Sequence, residues 1–371
     1  MDAGSAPALT RRPRLAISLG DPCGIGPELL LRSLPALAEQ ADLIVVGPRA
    51  GLELLPAPSD ASVTWALTPP TGPLPVGFLG QAWGLQVTGP GGTSASALWL
   101  DPTPEVVAVD LGLGTLSAAS GRATVEAIRT AAGLALDGTV DALVTLPMAK
   151  AAAHLAGFDL PGHTEFLQAL AGVPITRMAF FSPTLNVVLH TVHQSLRSVV
   201  EGLDARSVAE TLAFSAHQFQ SLTGRTGLAV ALCALNPHAG EQGAFGGEEA
   251  LLNEALRQAT ASFPAGPEAP RFSGPHPSDS LFLRAARGEF DLIIALYHDQ
   301  GLIPVKLFEP DRAVNVTLGL PYVRTSPDHG TAFDKAGRWC ADPTNFQAAA
   351  ALAIHLAGRA RPAAWGGLAP S

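Results

Sequence analysis

The sequence predicts an α/β protein with a largely parallel sheet. Short apolar runs of strand length recur along the chain and alternate with amphipathic segments of helical length. Most of these runs lead into a glycine or a proline, which is typical of the turns that end buried strands. The chain has 371 residues, enough for two α/β domains of ordinary size.

The first elements flank a glycine-rich turn. Residues 14–19 and 41–46 have the aliphatic pattern of buried strands, and residues 20–28 follow the first of them and open a helix. Such a turn can offer backbone N–H groups to an anion at the helix N-terminus. It can equally need its glycines only for backbone freedom, and both interpretations stay open. Residues 69–92 are rich in proline and glycine and predict a loop.

The remaining elements repeat the alternation. Amphipathic helices are expected over 121–136 and 207–222. A proline-rich loop is expected over 262–277. The other predicted strands are residues 141–146, 178–181, 186–189, 227–235 and 291–296.

Composition excludes several classes of function. The net charge is −9 and no lysine- or arginine-rich block offsets it, which argues against a nucleic-acid binder. We expect no membrane partner, because no apolar stretch approaches the length of a membrane span, and we find no signal-peptide pattern. Three scattered cysteines suit a reducing compartment, so a cytoplasmic location is expected.

Three histidines carry the strongest chemical signal. His193, His238 and His298 each follow an apolar strand-like run, so they could converge at one edge of a sheet. Three imidazoles are a common protein ligand set for a catalytic divalent metal. Asp279 and Asp299 could orient such ligands or serve as structural hydrogen-bond acceptors. A single histidine after a strand is more often a structural hydrogen-bonding group, and that alternative stays open.

Two cations and an amide follow at nine-residue intervals. Lys306, Asn315 and Arg324 lie among apolar neighbours in a chain with few basic residues. They could form a cradle for a phosphate or carboxylate. The alternative is that each side chain extends from an edge of the fold into solvent.

Seven motifs, in this order, resemble the 4-hydroxythreonine-4-phosphate dehydrogenase family of pyridoxal phosphate biosynthesis. The resemblance runs from about residue 14 to the C-terminus. The motifs are residues 20–28 (GDPCGIGPE), 161–166 (PGHTEF), 235–241 (LNPHAGE), 274–282 (GPHPSDSLF), 297–302 (YHDQGL), 315–321 (NVTLGLP) and 328–334 (DHGTAFD).

The resemblance implies a role for each matching residue. It implies a divalent metal (Zn, Mg or Co) on His193, His238 and His298, with Asp279 and Asp299 as catalytic residues that support the site. The implied substrate contacts are His163, Thr164, Lys306, Asn315 and Arg324. Residues 329–337 and 341–343 resemble an adenosine-binding loop, so NAD or NADP is expected at His329, Gly330, Asp334 and Asp342.

The resemblance also implies a fold and a reaction. The fold is that of the isocitrate and isopropylmalate dehydrogenases, with an active-site cleft between two domains. We expect a tail over 1–13, a cofactor-side domain over 14–148 and 330–371, and a domain over 149–329 with the metal, substrate and dimer interface. The expected homodimer shares its active site across the interface.

The expected reaction is the NAD(P)-dependent oxidation and decarboxylation of 4-phosphooxy-L-threonine to 3-amino-2-oxopropyl phosphate. One alternative is a dehydrogenase for erythronate or threonate phosphate. Another is a metal-dependent phosphatase that uses the same histidines.

Overall fold

The described part of the chain forms two compact units. The computed structural model describes residues 11–59, 62–159 and 162–359. One unit is built mainly from Ile175–Pro321, and the other from the described residues up to Pro174 together with Tyr322–Gly358. The sequence predicts boundaries near 148/149 and 329/330, and the roles assigned to the two domains stay a prediction.

The helices and strands alternate along the chain. Within the described residues the strands are β1 (Arg14–Ser18), β2 (Asp42–Val46), β3 (Thr64–Thr68), β4 (Gln81–Thr88), β5 (Ser94–Asp101), β6 (Ala142–Thr145), β7 (Arg177–Phe181), β8 (Asn186–Leu189), β9 (Ala229–Cys233), β10 (Arg271–His276), β11 (Leu292–Ala295), β12 (Val314–Leu318) and β13 (Val323–Pro327). The α-helices are α1 (Gly26–Ala38), α2 (Ala50–Glu53), α3 (Ala118–Leu136), α4 (Lys150–Leu155), α5 (His163–Ala171), α6 (Leu196–Glu201), α7 (Ala205–Thr223), α8 (Glu248–Ala261), α9 (Ser278–Ala286), α10 (His298–Phe308) and α11 (Thr344–Ala357).

The unit that contains the N-terminal half has the strand order β13-β6-β1-β2-β5-β4-β3. The strands from β13 to β5 are parallel, and β4 pairs antiparallel with both β5 and β3. Helices α4 and α5 pack against α3, which is why residues 150–171 belong to this unit. The loop predicted for 69–92 is wrong over β4. There Leu85 and Val87 are buried on either side of exposed Gln86, a short alternation within a glycine-rich stretch.

The other unit has the strand order β10-β9-β11-β8-β7-β12. Strands β10, β9, β11 and β8 are parallel neighbours, whereas β7 pairs antiparallel with β8 and β12. Helices α9 and α10 share a buried apolar cluster with β8, β9 and β11. The loop predicted for 262–277 is wrong over β10, an edge strand that tolerates its proline because one side needs no ladder hydrogen bond.

Both long predicted helices are present and have polar N-caps. The Ser117 hydroxyl accepts a hydrogen bond from the Ser120 N–H at the start of α3. At the start of α7, an Asp204 carboxylate oxygen accepts one from the Ser207 N–H. The α/β class with a mixed sheet is therefore confirmed. Among the described residues, none of the helices has the length and apolarity that a membrane span needs.

Candidate active site

Two of the three predicted metal ligands lie together at one edge of a sheet. His193 follows β8 and His298 follows β11, and these strands are parallel neighbours. The centroids of the two imidazole rings are 6.0 Å apart. His298 Nδ1 is hydrogen-bonded to Asp299 Oδ1 at 2.7 Å, which leaves its Nε2 available to a ligand. A carboxylate behind an imidazole in this way is the usual support of a metal-bound histidine.

The third predicted ligand, His238, follows β9 and is exposed. Its ring lies 6.4 Å from that of Phe245, and residues 238–242 all have positive φ angles. Across 11–59, 62–159 and 162–359, no group of three or more His, Cys, Asp or Glu side chains is arranged to hold a metal ion. A single chain in this conformation therefore brings His193 and His298 together without His238.

Gln300 organises this edge of the sheet, and the sequence reasoning missed it. Its side-chain oxygen accepts a hydrogen bond from the Leu296 N–H at 2.6 Å. Its side-chain nitrogen donates to the Ala234 carbonyl at 2.8 Å and to the Ser278 hydroxyl at 3.0 Å. One buried amide thus joins the ends of β9 and β11 to the start of α9. The only sequence signal was its place directly after His298-Asp299.

The two predicted catalytic carboxylates line one groove. Asp279 begins the first turn of α9 and Asp299 that of α10, and both face a cavity of about 400 Å³. The rest of its wall is largely apolar and includes Phe282, Ile303 and Phe308. Both carboxylates thus lie at one groove, and Asp299 also contacts His298.

The predicted anion cradle is divided between the two units. Lys306 is exposed in the last turn of α10, and Asn315 is half-buried on β12. Arg324 lies on β13 in the other unit and is only 2% exposed. Its guanidinium donates to the Thr145 hydroxyl at 2.6 Å, and burial lowers its pKa to about 10. The solvent-exposed alternative is therefore wrong for Arg324.

His163 and Thr164, the other predicted substrate contacts, open helix α5. The Nε2 atom of His163 is buried and has no hydrogen-bond partner among the described residues. Burial lowers the pKa of His163 well below its usual value, and the charges of Arg324 and Lys150 lower it further. His163 is therefore a neutral imidazole beside two cations. Lys150, at the first position of α4, is a second residue that the sequence reasoning missed.

A buried carboxylate forms a hydrogen bond with the backbone of the predicted cofactor loop. Glu28 of α1 accepts a hydrogen bond from the Trp339 N–H at 3.1 Å. Within the loop, His329 Nδ1 donates to the Gly330 carbonyl, and His329 Nε2 is buried without a hydrogen-bond partner among the described residues. An unpaired buried imidazole nitrogen suits a ring that hydrogen-bonds to a ligand.

Asp342 and Asp334, the other two predicted cofactor residues, differ in their contacts. Asp342 accepts hydrogen bonds from the backbone N–H and the hydroxyl of Thr344 at the start of α11, and these bonds lower its pKa. Its carboxylate is thus already engaged by the protein, one residue before the N-cap of α11. Asp334 is exposed within the loop.

The backbone N–H groups of the glycine-rich turn form hydrogen bonds with other groups of the protein. The N–H groups of residues 21 and 23–25 all donate to protein acceptors, among them the Thr331 carbonyl. Gly20 has φ of 71°, and a Cβ there would lie 2.3 Å from the Pro147 carbonyl oxygen. The structure thus favours the tight-turn interpretation over the anion site.

Comparison with known proteins identifies the family. The family model described as "Pyridoxal phosphate biosynthetic protein PdxA" matches residues 90–353. The chain belongs to the PdxA family. The resemblance inferred from the seven motifs is therefore confirmed.

Two curated relatives are equally similar to the chain over almost its whole length. A 4-hydroxythreonine-4-phosphate dehydrogenase of a Ruegeria species is 38% identical over 94% of this chain and 98% of the relative. A D-threonate 4-phosphate dehydrogenase of Bordetella bronchiseptica is also 38% identical, over 94% of this chain and 93% of the relative.

A solved structure agrees with the fold. The crystal structure of a 4-hydroxythreonine-4-phosphate dehydrogenase from Klebsiella pneumoniae superimposes with a TM-score of 0.75 at 31% identity, over 95% of this chain and 100% of that one. Family and relatives together place the chain among the dehydrogenases, and hence the oxidoreductases, of pyridoxal phosphate biosynthesis.

Proposed function

We propose that this protein oxidises and decarboxylates 4-phosphooxy-L-threonine to 3-amino-2-oxopropyl phosphate with NAD or NADP and a divalent metal. The observation that carries the proposal is the His193–His298 pair, 6.0 Å apart at a shared strand edge, with Asp299 behind His298. That geometry suits two imidazole ligands of one cation, of which Zn, Mg and Co are the candidates.

The residues of the chain divide the work between binding and orientation. His193 and His298 would hold the cation together with His238, and Asp299 fixes the ring of His298. When bound, the metal would lower the pKa of the substrate hydroxyl and polarise the carbonyl that replaces it, while the nicotinamide ring would accept the hydride. Arg324 and Lys306 would bind the anionic groups of the substrate as charge-assisted donors.

The neutral state of His163 suits its proposed place beside the substrate. Because the pKa of His163 is lowered, its ring can donate from one nitrogen without adding a charge to the site. Thr164 offers a hydroxyl from the next position of the same helix turn. For the cofactor, His329 and Gly330 are the proposed adenosine contacts, supported by the buried His329 Nε2. Asp334 and Asp342 are proposed to lie near the bound cofactor as well.

A side-by-side assay tests the substrate. Purified protein, NAD+ or NADP+ and each metal in turn are given either 4-phosphooxy-L-threonine or D-threonate 4-phosphate, and the absorbance of the reduced cofactor is followed. The first substrate should give the higher kcat/KM. A clear preference for the second would assign the chain to the D-threonate 4-phosphate dehydrogenases. Its 38% identity to one of them is the reason to include that substrate. Absence of turnover with either, across several metals, would overturn the proposal.

A metal-dependent phosphatase is the rival from another class of enzyme. It would use the same histidines but would need no nicotinamide cofactor. Release of inorganic phosphate without NAD(P)+ would favour it. All three relatives described above are named dehydrogenases, which supports an oxidoreductase instead.

We also propose a homodimer in which the two chains share the active site. A row of apolar side chains is exposed on α9 and α10, next to the Asp279–Asp299 groove: Leu283, Ile303, Leu307 and Phe308 are 48%, 58%, 78% and 42% exposed. An apolar patch of this kind is typical of a protein interface. Because the described residues of one chain bring no third ligand to His193 and His298, the second chain would supply the third imidazole.

Mixed dimers test the shared site. If one site combines His298 of one chain with the partner's His238, each dimer of a His238→Ala chain with a His298→Ala chain should regain one of its two sites, or about a quarter of all wild-type sites in an equal random mixture. Each variant alone should stay inactive. A fully active monomer in sedimentation at assay concentration would contradict the proposal.

The proposed location is the cytoplasm. The three cysteines are free thiols, two of them buried, as expected in a reducing compartment.

A further inference from the structure

The hydroxyl of Tyr322 is buried without a partner. Tyr322 is only 2% exposed, and no group among the described residues hydrogen-bonds with its oxygen. Burial also raises the pKa of this phenol to about 12, so it carries its proton at neutral pH. A buried donor without an acceptor costs free energy, and such a group in a native protein needs an explanation. A phenylalanine would fill the same space without that cost.

The surroundings of this hydroxyl are cationic. Tyr322 directly precedes β13 and Arg324 is its second residue, so the two are at the spacing that places side chains on one side of an extended chain. Their charges act on each other: the guanidinium lowers the pKa of the phenol, and a phenolate would raise that of the guanidinium. The charges of Arg324 and Lys150 both lower the pKa of His163, and the charge of Glu165 raises that of Arg324.

A second buried polar atom without a partner lies in the same cluster. His163 Nε2 has no hydrogen-bond partner among the described residues, just as the Tyr322 hydroxyl has none. Both residues interact electrostatically with the buried guanidinium of Arg324. Buried polar atoms without a partner near a buried cation suit an anionic oxygen, which accepts hydrogen bonds and is attracted by the guanidinium.

We propose that the Tyr322 hydroxyl is a further substrate-binding donor that, with His163 and Arg324, holds an anionic oxygen of the substrate. The ligand class is a phosphate or carboxylate group on a small molecule. The inference rests on the proposed function for the identity of that molecule, but not for the existence of the anion site.

Selective labelling tests the anion site without any turnover. The chain has two tyrosines, Tyr297 and Tyr322, so protein labelled with ¹³C at the tyrosine ε carbons gives two sets of ring signals. A Tyr297→Phe variant assigns them. Inorganic phosphate is added in one titration and unphosphorylated threonate in another. The Tyr322 signal should shift and saturate with one of these anions, which tells whether the pocket takes the phosphate or the carboxylate end. No shift with either anion up to tens of millimolar would overturn the proposal.

Kinetics and stability of Tyr322→Phe provide the second arm. Loss of one hydrogen bond to an anion predicts a kcat/KM lower by about 10-fold or more, mainly through KM. Thermal stability should stay the same or rise, because the substitution removes an unpaired buried hydroxyl. A less stable variant with unchanged kcat/KM would assign the hydroxyl a structural role and contradict the proposal.

The two hypotheses fail in different ways. If wild-type protein turns over no phosphorylated four-carbon acid but the Tyr322 signal still shifts with an anion, the proposed function is wrong and the anion site stands. If turnover is normal and the Tyr322 signal does not respond, the proposed function stands and the anion site at Tyr322 is wrong.

Discussion

Replacing Gln300 with methionine should destabilise the fold at the edge that carries the histidines. Methionine has nearly the same volume, so the change removes three hydrogen bonds without opening a large cavity. The Leu296 N–H and the Ala234 carbonyl, in residues that are 0% and 2% exposed, would lose their Gln300 partner. The Ala234 carbonyl keeps the Ser278 hydroxyl as a donor at 3.5 Å, so the Leu296 N–H is the group left unpaired. At about 1–3 kcal/mol for such a group, the free energy of unfolding should fall by about 1–3 kcal/mol.

Urea denaturation followed by circular dichroism measures this loss. Gln194→Met is the matched control, because Gln194 is exposed and its change should stay within about 0.5 kcal/mol. The Gln300 variant should also bind a divalent metal more weakly, since Gln300 follows His298-Asp299 directly and holds the end of β11. A loss below about 1 kcal/mol would mean that water or a neighbouring group replaces the amide, and the assigned role would be wrong.

Three further predictions concern charge and ligands. Burial raises the pKa of the Asp21 carboxyl to about 6. Between pH 4 and 6 the folded protein therefore holds a proton that the unfolded chain has lost. Because of this difference, the free energy of unfolding should fall by up to about 3 kcal/mol as the pH rises from 4 to 6. Denaturation across that range should show the fall, and Asp21→Asn should abolish it; an equal slope in both proteins would contradict the burial argument. His193→Ala and His298→Ala should each abolish turnover and weaken metal binding measured by calorimetry while the protein stays folded, and near-normal turnover would remove that residue from the ligand set. Arg324→Lys and Lys306→Ala should lower kcat/KM by about 10-fold or more, since each loses a charge-assisted contact; an effect on thermal stability alone would leave the residue a structural role.

The sequence predicted the strand ends better than the side-chain contacts. Strand-length apolar runs placed β8, β9 and β11 correctly, and the rule that parallel strands end at one edge placed His193 and His298 together there. The conformation of the loop after a strand depends on backbone dihedral angles, which the hydrophobic periodicity of the sequence does not predict. For that reason the run of positive φ angles around His238 was not foreseen.

Long-range partners were the other part that sequence reasoning could not supply. Gln300 and Tyr322 have no distinctive spacing, because their importance depends on which backbone or side-chain groups the fold brings near them. Arg324 was a candidate from the sequence, but whether it was buried or exposed depended on the pairing of β13 with β6. The strand β4 was missed since its glycine and its short alternation gave a composition typical of loops.

Product analysis tests the central claim most directly. Purified protein with metal, NAD+ and 4-phosphooxy-L-threonine is allowed to react, and reduced cofactor, carbon dioxide and phosphorylated product are quantified in the same sample. The account predicts one equivalent of reduced cofactor and one of carbon dioxide for each 3-amino-2-oxopropyl phosphate, with the phosphate retained and no product from His298→Ala. Free inorganic phosphate without reduced cofactor would contradict it.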